Sequence, residues 1–292
     1  SSGITGYDNT ITGTYIAADV VGAASKLSGT TYESSQWAFN NTSGNTMTMQ
    51  VEASTTNADV DFTGADAFNR VAITAFLQGP MPSSGPALMA NDLQLASLLP
   101  TTSPYSSTTY SLINSPSGPA GEVVDWIYVQ VRDAANPGTI YESRSLLLKR
   151  DGSIVDTAGD VPVFKSNINV VRIALIHRNH MAILGNTLPG SNFKGKNLSY
   201  DFSSALSQAK NDGEPSQMLL RNTKWCLIAG DINSDYFIDA LDNSLYLPDF
   251  NFGIFDVYDT SDLNLDSFVD ALDGALFIVN FNSAFYSNLT NY

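Results

Sequence analysis

The chain has 292 residues, of which 43 % are apolar and only 15 % charged, with a net charge of −15. That length buries a core without disulfides or metal. The 14 Lys and Arg form no run, which excludes a nucleic-acid backbone or an anionic membrane as partner. No apolar stretch approaches the ~18 residues of a spanning helix, so membrane insertion is not expected. The single cysteine, Cys226, lies in an apolar run and reads as a buried small hydrophobe. The chain opens at Ser1 without a signal-peptide pattern, which reads as a mature or trimmed chain whose targeting segment has been removed.

Residues 1–70 read as an N-terminal β module. Residues 10–16 are rich in β-branched and aromatic types, residues 46–52 alternate with period two, and residues 40–45 carry turn chemistry. Residues 71–222 read as an antiparallel β-sandwich. Strands are expected at 71–77, 123–132, 143–149, 153–155 and 169–177, with a helical turn or two within 87–99 and a Gly/Pro-rich loop at 79–86. On the long strand, Ile127, Val129 and Val131 share one face, and Trp126, Tyr128, Gln130 and Arg132 the other. Asp151 and Gly152 close a tight hairpin.

Residues 223–292 differ in kind, because they contain a repeat. Residues 231–242 and 262–273 match at most positions, and each copy leads into an apolar run suited to a short helix. A calcium loop of the EF-hand type needs oxygen ligands at positions 1, 3 and 5, a backbone carbonyl at 7, a ligand or water at 9 and a carboxylate at 12. The first copy supplies Asp231, Asn233, Asp235, the carbonyl of Phe237, Asp239 and Asp242. The second supplies Asp262, Asn264, Asp266, the carbonyl of Phe268, Asp270 and Asp273. The expectation is two structural Ca²⁺ sites. Ile238 and Val269, at position 8, suit the apolar anchor that ties such a loop to its core. Position 6, ordinarily glycine, is Tyr236 and Ser267, and a side chain held there in a left-handed conformation costs about 1–2 kcal/mol. Affinity is therefore expected in the extracellular range of about 10⁻⁴ to 10⁻³ M. Pro248 is expected to end the first helix early. With that helix cut, the loops would brace their own protein rather than dock onto another.

The tandem loops resemble a dockerin domain, and more closely the dockerin-like C-terminal segment of Bacteroidota surface proteins. The preceding block resembles the uncharacterised domain of such proteins at residues 75–80, 124–133, 149–156 and 177–180. The resemblance implies export to the cell surface or medium, a mainly β chain closed by a small α-helical calcium segment, and no assignable activity. In dockerins the paired loop-helix units bind a cohesin.

The two histidines, His177 and His180, fall three apart on an expected strand, so they point to opposite faces and serve hydrogen bonding rather than a metal. No nucleophile elbow, zinc-binding His-Glu-x-x-His or phosphate loop occurs. Glu122, Glu142 and Asp151 lie near strand ends and turns without a motif for glycoside hydrolysis. The expectation is a non-enzymatic, secreted, structural or adhesive protein that self-associates or binds another surface protein. Extracellular filaments would form if a strand at residues 10–16 completed a neighbour's sheet. The alternative is a glycan- or cohesin-type binding module, with Trp126, Tyr128 and Tyr141 as an aromatic platform. Asp156, Thr157 and Ala158 resemble a Bacteroidota O-glycosylation signal.

Overall fold

The computed structural model describes residues 69–164, 170–188 and 197–292 in full and, within 1–68, the backbone of five strands. The chain divides into two compact units, Ser1–Asn69 and Arg70–Tyr292. The segments taken from the sequence as separate domains, 71–222 and 223–292, thus fall within one unit.

In the first unit the strands are β1 (Asn9–Thr14), β2 (Ser25–Leu27), β3 (Trp37–Ser43), β4 (Thr46–Val51) and β5 (Asp61–Thr63). β4 lies between β1 and β3 and is antiparallel to both, while β2 and β5 pair separately. The expected strands at 10–16 and 46–52 are present where the structure describes them; Tyr15, Ile16 and Glu52 lie outside the described residues. Residues 40–43, expected as turn, belong instead to β3, where the ladder to β4 overrides their polar composition.

The second unit holds β6 (Asn69–Thr74), α1 (Asp92–Leu95), β7 (Val123–Asp133), β8 (Ile140–Lys149), β9 (Ser153–Val155), β10 (Val163–Phe164), β11 (Val171–Ile176), β12 (Ile183–Thr187), β13 (Asn197–Asp201), β14 (Leu219–Arg221), β15 (Lys224–Cys226), α2 (Ala240–Phe252) and α3 (Ala271–Asn282). Eight of these strands form one sheet in the order β10-β6-β9-β8-β7-β11-β12, with β13 parallel to β6 and all other pairings with known register antiparallel. The chain is mainly β. The two-sheet sandwich expected for residues 71–222 gives way, among the described residues, to this single sheet. β7 is buried along both faces, as strands of covered sheets are. One face is covered by a long connection: Trp126 Nε1 donates to Pro100 O at 2.8 Å, and Tyr105 stacks on Tyr128 with centroids 5.5 Å apart. Gly152, at φ 83°, makes the turn from β8 to β9, as expected from the Asp-Gly pair.

The main core joins β6, β7, β8 and β11 to Cys226, Leu227 and Leu265 from the last third of the chain. Cys226 is buried, and burial pushes its thiol up to about 12. A second cluster, with Ile228, Ile232, Ile238, Tyr246, Leu263, Val269 and Phe277, fills the C-terminal segment.

Candidate metal centre

Each loop is built by its own aspartates. In loop 1 (residues 231–242), Asp231 accepts from the amides of Asp235 and Tyr236 at 3.1 and 3.2 Å, and Asn233 Oδ1 accepts from Asp235 N at 3.0 Å. Asp235 accepts from Phe237 N at 3.0 Å. Asp242 reaches back to the amides of Ile232 and Asn233 at 2.7 and 3.1 Å. Loop 2 (residues 262–273) repeats these contacts with Asp262, Asn264, Asp266 and Asp273. Positions 9 and 12 double as a capping box. Asp239 caps α2 through Leu241 N at 2.7 Å while Asp242 accepts from Asp239 N, and Asp270 with Asp273 does the same for α3.

The left-handed turn expected at position 6 is present, with Tyr236 at φ 77° and Ser267 at φ 76°. Position 4 is left-handed as well, with Ser234 at 58° and Leu265 at 62°, which the sequence did not signal. At Tyr236 and Leu265 the left-handed residue carries a side chain that packs. Tyr236 packs its ring on Ala174, Ala182, Leu184 and Leu289, and Leu265 is buried in the main core. Their side chains dock the loops on the sheet, and that packing offsets the backbone strain.

The two loop-helix units interlock. Residues 236–238 of loop 1 pair with the segment after α3, through Ile238 N to Phe285 O at 3.0 Å and Ser287 N to Tyr236 O at 2.8 Å. Loop 2 pairs with the segment after α2, through Val269 N to Ile254 O and Asp256 N to Ser267 O, both 2.8 Å. Tyr246 and Phe277, equivalent in the repeat, stack on one another at 5.2 Å. Pro248 does not end α2, which runs on to Phe252 and stops at Gly253 in a left-handed cap. Pro248 and Ser244, whose carbonyl loses its amide partner, are both on the exposed side of the helix.

Electrostatics set these loops apart from ordinary turns. Asp231, Asp242, Asp262 and Asp273 are each no more than 1 % exposed. Burial, with Asp242 and Asp235 beside it, pushes Asp231 up to about 8. Burial pushes Asp262 up to about 7, against the pull of Arg178, and Asp273 up to about 6; Asp242 is raised for the same reason. Buried carboxylates crowded in this way favour either protons or a cation. The donors are all oxygen, as a hard cation such as calcium requires. Among the described residues, no group of three or more histidine, cysteine, aspartate or glutamate side chains stands ready to hold a metal by itself. An asparagine amide and the carbonyl of Phe237 or Phe268 would have to complete each set.

A buried polar chain ties the loops to the sheet. Gly79 N donates to His180 Nε2 at 3.2 Å, and His180 Nδ1 lies 3.1 Å from His177 Nδ1 and 2.8 Å from Asn179 Oδ1. His177 Nε2 lies 3.3 Å from Asp125, which also accepts from Arg178 Nε at 2.9 Å and Tyr258 OH at 2.7 Å. The expectation of opposite faces for the two histidines fails because β11 ends at Ile176 and the chain turns. The hydrogen bonding expected of them is present, with every imidazole nitrogen engaged within the protein. Burial opposes the charge on Asp125, but Arg178, His177 and Tyr258 outweigh it and hold the carboxyl at about 2. Arg178 also donates to Asp259 O and lies over the Tyr258 ring, 4.0 Å from its centroid. Asn179 Nδ2 donates to Asp262 O at 2.7 Å, and Asn280 Nδ2 bridges Gln78 Oε1 and Ala229 O at 2.8 and 2.7 Å. No local pattern signals these partners, which lie up to 202 positions apart.

The other sequence candidates lie apart from the loops' machinery. Glu122 pairs with Arg150 at 3.2 Å, Asp151 accepts from Ser153 N at 3.0 Å, and Glu142 sits on β8. Trp126 is fully buried and Tyr128 is stacked against Tyr105, so only Tyr141, at 38 % exposure, presents a ring as the aromatic platform required. The chain matches no family model and no curated protein.

Proposed function

We propose that this chain is an exported calcium-binding protein of the cell surface or medium, non-enzymatic, with a structural or adhesive role. In this reading residues 223–292 form a dockerin-like segment, and calcium in its two loops rigidifies the second unit. The observation that carries it is the duplicated loop with buried aspartates at positions 1 and 12. Their mutual repulsion and burial are relieved by a divalent cation, and weak all-oxygen sites fill only where calcium is abundant, as it is outside cells. The segment's contacts with the sheet through Asn179, Arg178 and Asn280 support a bracing role. Calorimetric titration of the full chain is expected to show two calcium ions bound per chain. Absence of heat or of bound metal at millimolar calcium would end the proposal. In the assembling form of the reading, deleting residues 1–18 abolishes filaments seen by electron microscopy while sparing the second unit; unaltered assembly would rule that strand out.

A second reading, a cohesin-type binding module, is favoured by one observation. Leu241, Leu245, Leu247, Phe252, Leu272, Ile278 and Val279 on α2 and α3 are large apolar side chains left exposed. The uninterrupted α2 removes the objection raised by Pro248. A Leu241→Glu, Leu272→Glu double variant should keep calcium binding and lose binding to a cohesin-type surface protein; binding unaffected by the pair would exclude these helices as the docking face.

A further inference from the structure

We propose that a small pocket on the sheet, away from the calcium loops, binds a single neutral sugar ring, free or at the end of a glycan. This goes beyond the calcium reading and does not rest on it, since no residue of either loop lines the pocket. It gives an adhesive role its ligand.

The pocket holds about 240 Å³ and lies where three segments meet: the turn at 103–108, β8, and the residues that follow β9. On β8, Ser143 and Ser145 stand two apart and so share a face, and Tyr128 on β7 is the cross-strand partner of Ser145. The turn folds over that same face. Its Ser103 Oγ donates to Ser145 Oγ at 2.9 Å, Ser106 Oγ lies 2.7 Å from Ser145 Oγ, and Tyr105 stacks on Tyr128 at 5.5 Å. On the third side Asp156 ties its own turn, with Oδ1 accepting from Ala158 N at 2.9 Å and Asp160 N at 3.0 Å. The walls are therefore fixed before any ligand arrives.

What these walls present is unspent polarity. Among the described residues, the hydroxyls of Ser107, Tyr128, Ser143 and Thr157 have no hydrogen-bond partner, and neither has Asp156 Oδ2. The guanidinium of Arg144 is engaged only at Nη1, on Val163 O. Arg144 and Asp156 line the pocket without pairing with each other. Each feature narrows the ligand. Hydroxyls that both donate and accept, with one fixed acceptor and one fixed donor, match a ring of hydroxyl groups. Asp156 opposes an anion such as phosphate, and Arg144 opposes a metal ion or an amine. The volume is below the ~300–1,000 Å³ of pockets for larger ligands, so one ring is the fitting size. Tyr128 supplies an apolar surface for the C–H face of a sugar. The arrangement differs from the open platform expected of Trp126, Tyr128 and Tyr141, because Tyr128 is one wall of a recess and its ring is locked by Tyr105.

Saturation-transfer NMR on the full chain tests this, with glucose, galactose, mannose, fucose and their methyl glycosides as probes. A ligand of this size is expected to bind with a dissociation constant on the order of 1–10 mM, so each probe is used at about 20 mM. Backbone-amide shifts in the same samples should map to residues 106–108, 143–146 and 156–157. Asp156→Asn keeps the acceptor of the turn and Tyr128→Phe keeps the stack, so both should melt as the parent does. Affinity for the bound sugar should fall at least about tenfold in the first and about threefold in the second. Equal binding of glycoside and free sugar assigns the pocket to a glycan end, and binding lost on methylation assigns it to the free sugar. Silence from every sugar, shifts that map elsewhere, inorganic phosphate bound in place of sugar, or affinities unmoved by both variants would overturn the proposal. EGTA should leave sugar binding unchanged, so failure of the calcium reading and failure of this site are read separately.

Discussion

Position 6 of each loop holds a side chain at positive φ, Tyr236 at 77° and Ser267 at 76°. Glycine reaches that region without steric cost, so replacing either residue removes about 1–2 kcal/mol of strain. Glycine also gains freedom in the unfolded chain, which takes back about 0.5–1 kcal/mol. For Ser267, whose side chain is small, the balance is a stabilisation of about 0.5–1 kcal/mol. Tyr236 differs because its ring covers Ala174, Ala182, Leu184 and Leu289. A half-buried tyrosine ring removes ~100 Å² of apolar surface from water, about 2.5 kcal/mol. Tyr236→Gly should therefore destabilise by about 1–2 kcal/mol despite the relieved backbone. For a unit of this size a kcal/mol moves the melting temperature by about 2–4 °C. Calorimetry at fixed calcium should show Ser267→Gly melting about 1–4 °C higher and Tyr236→Gly about 2–8 °C lower. If both variants shift in the same direction, Tyr236 does not dock loop 1 and the account of its departure from glycine is wrong.

Calcium itself should act on the same scale. At about 10 mM calcium and a dissociation constant of about 10⁻⁴ to 10⁻³ M, each site adds about 1.4–2.7 kcal/mol. Melting should then rise by about 6–20 °C over EDTA-treated protein, with a smaller effect of magnesium, and an unchanged transition would mean that calcium does not clamp the fold. Gly79→Ala drives a Cβ into the backbone of Leu263, 1.7 Å from its oxygen, and should cost about 3 kcal/mol in a urea titration; wild-type stability would show that loop 2 is not packed this closely. Asp125, held at about 2 against 3.8 unfolded, contributes on the order of 2 kcal/mol that is present above about pH 4 and lost as the pH falls towards 2. His177 and His180, depressed by burial, add to the same trend from about pH 6.5 downwards, because only the unfolded chain protonates readily. Asp125→Asn leaves Arg178 buried without its carboxylate, so its deficit of about 3–5 kcal/mol at neutral pH should shrink in acid; a deficit independent of pH would place the cost in packing instead.

What could be read from the sequence was local. The loop backbone is written by Asp and Asn side chains bonding amides two to five residues on, and that pattern lies open in the repeat. β7 and β8 show as long runs because β-branched, aromatic and aliphatic residues fill them between turn-forming segments. Short strands such as β10 and β13 carry no such signal, since each exists through a partner far along the chain, as when β13 pairs with β6. The helix through Pro248 is hidden because the proline rule takes no account of exposure, and here Pro248 and Ser244 both lie exposed. The polar chain from Gly79 to Asp125 was hidden for the opposite reason: its members are scattered in sequence and meet only in the interior. Strand geometry, which would place His177 and His180 on opposite faces, ceases at Ile176.

The same contacts decide whether residues 223–292 are an appended module or a part of the core. An appended calcium segment would bury its own apolar residues and touch its neighbour through a polar seam. Here Leu265, at position 4 of loop 2, and Cys226 and Leu227 lie in the main core with β6 and β7. Leu227 exchanges backbone hydrogen bonds with Phe76 and Gln78 at 2.8 and 2.9 Å, and Ile228 accepts from Met181 N at 2.7 Å. Asn280 on α3 and the amide of Ala229 both donate to Gln78 Oε1, which is buried. Ending the chain at residue 222 removes all of these at once, exposes the apolar wall that Leu227 and Leu265 cover, and orphans Gln78. At about 2 kcal/mol for each large apolar side chain lost and about 1–3 kcal/mol for each orphaned polar group, the loss rivals the whole stability of an ordinary domain. The truncated chain should therefore show no cooperative melting transition and should bind a hydrophobic dye. Native-like melting of residues 70–222 alone would mean that the sheet is self-sufficient and that calcium acts on a separate module.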